Sequence, residues 1–80
     1  GPGIVYLEAL ACGLPVVTMK NGGAEDLIEN KYNGFLLEIG DFQGAAKKIK
    51  RLLNNKTLYN ELSFNALYGA SKFSNFKYPF

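Results

Sequence analysis

The sequence of 80 residues contains no histidine, no tryptophan and one cysteine. Without histidine, the chain itself can supply neither histidine-based acid–base catalysis nor a histidine-ligated metal site. A lone cysteine, Cys12, excludes an internal disulfide framework and a cysteine metal site. We therefore expect no bound metal or cofactor, a reducing compartment, and a small buried thiol at Cys12.

Long apolar runs are also missing. The longest apolar stretch, residues 4–17, is interrupted by Glu8 and Pro15, and it is too short to span a membrane. The start lacks the basic region and cleavage site of a secretory signal, so we expect no leader. Hydrophobic residues make up 48% of the chain, a composition that argues against a disordered tail. This length allows one small domain with little core.

Charge is distributed unevenly. Residues 1–41 carry two basic and six acidic side chains, whereas residues 42–80 carry seven basic and one acidic. A cluster of four cations in the second half has two interpretations, a solvated helix face or a surface that docks on an anionic membrane; it comprises Lys47, Lys48, Lys50 and Arg51. We expect no nucleic-acid partner, because no aromatic side chains interleave with these cations.

Apolar periodicity and turn residues predict alternating helices and strands. Helices are predicted over residues 4–12, 24–30, 42–53 and 57–71, and strands over residues 15–19 and 35–38. Gly13 is expected to stop the first helix and Asp41 to cap the third. This order predicts an α/β fold with parallel strands. Two strands cannot hide both faces of a sheet, so we expect the later part of a larger domain.

The same patterns predict the core. The first helix should be buried on most sides, since it is apolar almost all round. The third helix should bury one apolar face, formed by Phe42, Ala45, Ala46, Ile49, Leu52 and Leu53. The fourth should bury Leu58, Leu62, Ala66 and Ala70, and the second Ala24, Leu27 and Ile28. Core or half-core positions are expected for Tyr6, Phe42, Tyr59, Phe64 and Tyr68, and residues 73–80 should form a strap on a surface.

Glu8 is the only charged residue among residues 1–19. A charge among apolar neighbours is costly unless it is paired, hydrogen-bonded or solvated in a cleft. Gly1, Pro2 and Gly3 come before it, and a helix start presents backbone N–H groups that suit a phosphate. A carboxylate one turn further along can accept two ribose hydroxyls. The alternative is a glutamate stabilised only by the helix dipole.

Residues 8–17 (EALACGLPVV) resemble a signature of the family 4 glycosyltransferases, the group 1 glycosyltransferases of GT-B type. That signature is a glutamate, alanine, a small or apolar pair, glycine, an apolar residue, proline and two valines. Residues 22–25 (GGAE), 33–36 (NGFL) and 72–74 (KFS) are similar to later segments of the family, in the same order. The resemblance covers about the whole chain.

The resemblance implies that residues 1–80 are a partial C-terminal donor-binding domain. The implied fold is the C-terminal part of a Rossmann-like GT-B domain, with short parallel strands flanked by helices. The backbone amides of Gly3, Ile4 and Val5 would bind phosphate or sugar oxygens of a nucleotide-sugar, and Glu8 would bind the ribose.

Four further residues are candidates for lining the donor cleft. They are Gly1, Pro2, Gly22 and Gly23. The alternative is an ordinary loop before a helix for Gly1 and Gly3, and an ordinary turn after a strand for Gly22 and Gly23. Pro2 stands where the family more often has phenylalanine, which removes none of the three expected amide donors.

Several parts of the family's machinery are not in this chain. A first glutamate would lie immediately before Gly1, and the Arg/Lys pair that binds the diphosphate, the rest of the sheet and the acceptor-binding domain are also outside. We therefore expect no catalytic residue here, and the fragment should be inactive alone.

The implied function is part of a retaining glycosyltransferase that moves a sugar from an NDP-sugar to a glycan, lipid-linked or small-molecule acceptor. Its partners would be the donor and the remaining part of the same enzyme, in the cytoplasm, with or without peripheral contact at the inner membrane face. The alternative is a free-standing α/β binding module that docks through its cationic helix on a partner or anionic membrane.

Overall fold

The computed structural model describes residues 2–72, with side chains described from residue 5 onward. Its elements are α1 (Pro2–Ala11), β1 (Val16–Met19), α2 (Ala24–Leu27), β2 (Gly34–Leu37), α3 (Phe42–Asn54) and α4 (Lys56–Ala70). Gly1, the expected strap at residues 73–80 and most of the 72–74 segment lie outside the described residues.

The two strands pair in parallel, with Val16 opposite Gly34 and Met19 opposite Leu37. Helices α1 and α3 pack against these strands, so the expected α/β arrangement of short parallel strands with helices packed on them is confirmed. Both strands end at the same edge of the sheet, which we call the carboxyl edge. In α/β folds this is the edge where ligands bind.

Helix α1 begins at Pro2, two residues before the predicted start. Proline is well suited to the first helical position, since its fixed φ is helical and its missing N–H is not needed there. Gly13 ends the helix as predicted, with φ 73°. The N–H of Leu14 donates to the carbonyl of Ala9 at 3.0 Å, and that of Gly13 to Leu10 at 2.9 Å, a Schellman closure.

The burial predicted for α1 is wrong on one side. Leu10 and Ala11 are buried in the core, but Val5, Glu8 and Cys12 form an exposed face at i, i+3, i+7 spacing. Cys12 is therefore an exposed thiol, not a buried one. The apolar composition of α1 could not show which side the rest of the chain covers.

Helix α2 ends at Leu27, three residues earlier than predicted. Ile28 is already extended, with φ −97° and ψ 116°. The buried side chain of Asn33 explains the early end. Its amide nitrogen donates to the carbonyl of Leu27 at 3.0 Å, and its oxygen accepts from the N–H of Glu29 at 2.8 Å, so these groups leave the helical pattern.

Helix α3 starts at the predicted residue, but it does not bury the predicted face. The Asp41 carboxylate accepts from the N–H of Gly44 at 2.9 Å and caps the helix. Only Leu52 of its predicted core face is fully buried; four other members of that face are exposed. This exposed stripe comprises Phe42, Ala46, Ile49 and Leu53. The prediction of one buried apolar face is wrong for these four, because α3 packs through the neighbouring arc of the helix.

Helix α4 buries the stripe predicted for it. Leu62, Ala66 and Ala70 are buried and Leu58 is half-buried. The amino half of α4 joins Phe35 and Leu52 in one core cluster, and its carboxyl half joins α1 and α2 in another. Of the aromatics expected in the core, Tyr6 and Tyr59 are half-buried, whereas Phe42, Phe64 and Tyr68 are exposed.

None of the helices described over residues 2–72 has both the length and the apolarity needed to cross a bilayer.

Candidate functional site

The amino end of α1 lies at the carboxyl edge of the sheet. The hydroxyl of Tyr6 is 3.3 Å from the hydroxyl of Thr18 near the end of β1. It also accepts a hydrogen bond at 3.3 Å from the side-chain amide of Asn21, just beyond that strand. These contacts place the first turns of α1 beside the segment that leads into Gly22 and Gly23.

The first turn of α1 supplies the predicted anion donors. Gly3 and Ile4 lie in this turn, and Val5 completes it. The first N–H groups of a helix have no acceptor within it, and they point along the axis toward anything beyond the helix end. The helix dipole is not offset here, since the first turn contains no acidic residue.

The Glu8 carboxylate lies in the second turn on the exposed face of α1. Within the part of the chain that the structure describes, no cation pairs with it and no donor bonds to it. Its oxygens are therefore available to accept hydroxyl hydrogen bonds. A partly apolar surface surrounds it, because Val5 on the same face is 64% exposed.

The Gly22–Gly23 loop lies between β1 and α2. Gly23 occupies the N-cap position of α2 with φ 118°, a conformation that L side chains rarely adopt. Glu25 and Asp26 fill the first turn of α2. These carboxylates already complement the dipole of that short helix, so its start is a poor place for a phosphate.

An ion pair at the carboxyl edge was not foreseen in the sequence. The ammonium of Lys20 lies 2.7 Å from the carboxylate of Glu38. Both residues are exposed, and each directly follows a strand. The hydrogen bond to Glu38, followed by the charges of Glu38 and Glu25, raises the pKa of Lys20. Met19 and Leu37 are paired in the parallel sheet, so the residues that follow them, Lys20 and Glu38, are brought together. Their opposite charges could have indicated an ion pair once this register was known.

An open depression of about 420 Å³ lies elsewhere, around α2 and the segment that follows it. Its lining includes the carboxylates of Glu25, Asp26 and Glu29. Negative charge of this density repels a phosphate, so the depression does not suit a nucleotide. Over residues 2–72, no group of three acidic or cysteine side chains gathers as a metal site.

Tyr6 and Asn21 are the other residues of this edge that sequence reasoning missed. Tyr6 was expected as a core aromatic, and its side chain is half-buried, but its hydroxyl reaches the carboxyl edge. Hydrogen bonds with Thr18 and then Asn21 lower the pKa of Tyr6. Nothing in the local sequence pairs these residues, because the contact depends on the crossing of α1 over β1.

Comparison with known proteins gives one family. The family model for glycosyl transferases group 1 matches residues 1–67. The chain is 40% identical over 65 residues to the capsular polysaccharide biosynthesis glycosyltransferase CapM of Staphylococcus aureus, covering 81% of this chain and 17% of that protein. It is 36% identical over 64 residues to N-acetyl-alpha-D-glucosaminyl L-malate synthase of Bacillus anthracis, covering 80% and 17% respectively.

A plant relative shows the same pattern of coverage. The chain is 36% identical over 72 residues to sucrose-phosphate synthase 4 of Arabidopsis thaliana, covering 90% of this chain and 7% of that protein. The chain therefore spans between 7% and 17% of the length of these relatives.

Proposed function

Because the chain belongs to the glycosyl transferases group 1 family, we propose that it is part of the donor-binding domain of a retaining glycosyltransferase. The intact enzyme transfers a sugar from an NDP-sugar to an acceptor. One of the relatives named above is a glycosyltransferase by name, and the other two are synthases whose named products contain a sugar, which supports the proposal.

The proposed site combines two features of α1. The N–H groups of Gly3, Ile4 and Val5 bind phosphate or sugar oxygens, and Glu8 accepts the ribose hydroxyls. The observation that carries this assignment is the exposed carboxylate of Glu8, which has no partner among the described residues, on a helix whose amino end lies at the carboxyl edge. Gly22 and Gly23 are further proposed cleft residues, and the sequence resemblance adds Gly1 and Pro2 to them.

The chemistry of transfer needs groups beyond this chain. The departing diphosphate gains negative charge, and preorganised donors stabilise it in the transition state. The α1 amides are some of these donors, and the remaining part of the enzyme supplies the others together with the acceptor site. Closure of the two domains would exclude water from the reactive donor. We propose that residues 1–80 alone are inactive, that no metal or cofactor is required, and that the enzyme is cytoplasmic.

Glu8→Gln in the intact enzyme tests the site. The substitution keeps the size of the side chain and removes the charge that strengthens both ribose hydrogen bonds. We expect the Kd for a nucleoside diphosphate (UDP, GDP and ADP each tried by calorimetry) to rise about 10- to 100-fold. Glu61→Gln on the exposed face of α4 is the matched control. Equal affinities for wild type and Glu8→Gln would refute the assignment.

A second candidate function has one observation in its favour. The exposed stripe of α3 (Phe42, Ala46, Ile49 and Leu53) adjoins the exposed cation Lys50, and the exposed cations Lys47 and Arg51 lie further round the same helix. An apolar stripe together with cations on one helix is typical of a helix that lies on an anionic membrane. In that case Lys50→Gln should weaken binding to phosphatidylglycerol vesicles, the binding should fall with salt, and nucleotides should not affect it.

A further inference from the structure

The Tyr6 hydroxyl joins the two walls of the proposed donor site. It lies 3.3 Å from the Thr18 hydroxyl and 3.3 Å from the side-chain nitrogen of Asn21. Tyr6 itself is one residue beyond Val5, the last of the proposed amide donors. Asn21 is one residue before Gly22. One phenol thus connects the start of α1 to the start of the glycine loop.

The glycine loop has few other attachments. Gly22 and Gly23 have no side chains, and a Cβ at either position would meet no atom within 4 Å. The Asn21 carbonyl accepts from the N–H of Ala24 at 3.1 Å, which closes the turn on itself. Among the described residues, the side chain of Asn21 is the hydrogen-bonded link between the start of this turn and α1, while the packing of α2 against α1 holds its other end.

We propose that Tyr6 and Asn21 are positioning residues that hold the Gly22–Gly23 loop beside the first turn of α1, where the donor diphosphate binds. The proposal rests on the donor site assigned above. A glycine loop released from this attachment samples many conformations, and only a fraction of them fit the diphosphate. The apparent Kd rises in inverse proportion to that fraction.

The experiment compares two ligands in the intact enzyme. Tyr6→Phe removes only the hydroxyl and keeps the ring that packs against the core. We expect the Kd of the nucleoside diphosphate (UDP, GDP or ADP, whichever binds) to rise about three- to tenfold. The Kd of the corresponding nucleoside, measured by NMR titration, should change by less than about twofold, since the ribose site at Glu8 remains.

Control variants separate a positioning role of Tyr6 and Asn21 from a nonspecific loss of stability or affinity. Tyr68→Phe removes a hydroxyl from an exposed tyrosine of α4 and should change neither affinity. Asn21→Ala, at an exposed position, should give the same selective loss as Tyr6→Phe, and the double variant should be no weaker than either single variant. Asn21→Ala should also raise the pKa of Tyr6 part of the way toward the ordinary value of a tyrosine, as read from tyrosinate absorbance, because one of the two hydrogen bonds that lower it is lost.

The outcomes are distinguishable from failure of the donor site itself. Glu8→Gln should weaken nucleoside and nucleoside diphosphate alike, whereas Tyr6→Phe should weaken only the diphosphate. An unchanged diphosphate Kd in both Tyr6→Phe and Asn21→Ala would overturn the positioning role, and so would an equal loss for the two ligands. If Tyr6→Phe fails to fold, the Asn21→Ala result decides.

Discussion

Asn33 organises the connection between α2 and β2. It is 4% exposed, and its side chain bonds to the backbone of Leu27 and of Glu29. A buried amide is stable only when its hydrogen bonds are satisfied, and here both ends of the amide are. The same two bonds end α2 and turn the chain toward the sheet. The Asn33 side chain therefore terminates this helix, as a glycine after the last helical turn does in many other helices.

We expect Asn33→Leu to loosen this connection. Leucine has the same branched arrangement of heavy atoms but leaves the Leu27 carbonyl and the Glu29 N–H without these partners, at a cost of about 2 kcal/mol. Hydrogen–deuterium exchange of the intact protein should show faster exchange over residues 24–37. Asn60→Leu, at an exposed position of α4, is the control and should leave exchange there unchanged.

At the scale of elements, single residues at or beside the helix termini fix most of the helix ends. Asp41 caps α3, and Asn55 caps α4 by accepting from the N–H of Leu58 at 3.0 Å. Pro2 begins α1 and Gly13 stops it. Each of these residues satisfies or replaces a backbone group that the helix itself leaves free, which is why a single sequence position can fix a boundary.

Replacing a glycine with alanine should have opposite effects on stability at Gly13, which ends α1, and at Gly69, which lies inside α4. Gly13→Ala should lower the free energy of unfolding by about 1–2 kcal/mol, because φ is 73° and the new Cβ would meet the Ser63 hydroxyl at 3.1 Å. Gly69→Ala, inside α4 with no atom within 4 Å of the new Cβ, should stabilise by about 0.5–1 kcal/mol. Thermal unfolding of the intact protein measures both effects. A Gly13→Ala variant as stable as the wild type would contradict the requirement for glycine at the end of α1.

At the scale of the whole molecule, the two lateral edges of the sheet, one along β1 and one along β2, differ. The outer edge of β2 is closed, since Lys31 donates to the Gly34 carbonyl at 2.8 Å and Asn30 accepts from the N–H of Leu36 at 3.0 Å. Over residues 2–72, no strand pairs with the outer edge of β1. We expect a larger domain to cover both the open strand edge and the exposed stripe of α3.

We therefore expect Leu53→Gln to destabilise the intact enzyme by about 1–3 kcal/mol, because the stripe is buried against the rest of the protein. Leu53 is 79% exposed in residues 2–72 taken alone, so the loss should be absent from the isolated chain. Lys50→Gln is the control on the adjacent face. Unchanged stability of intact Leu53→Gln, together with lost vesicle binding, would instead favour the membrane-docking function.

The sequence by itself determined the order of elements, the parallel α/β arrangement, the stop of α1 at Gly13, the cap of α3 at Asp41, and the position of Glu8 on α1. These features depend on backbone groups and side chains within a few residues of one another, and such interactions are readable along the chain. The motif around Glu8 also identified the family.

Only the tertiary structure decided which faces are covered. Periodicity predicted one buried face for α3, but packing with Phe35 and Leu62 selected the arc around Leu52 and left Phe42 and Leu53 in solvent. Packing with residues distant in sequence likewise left Cys12 exposed and brought the Tyr6 hydroxyl to Thr18 and Asn21. The physical reason is that burial depends on residues distant in sequence, and the sequence pattern of one helix does not contain their positions.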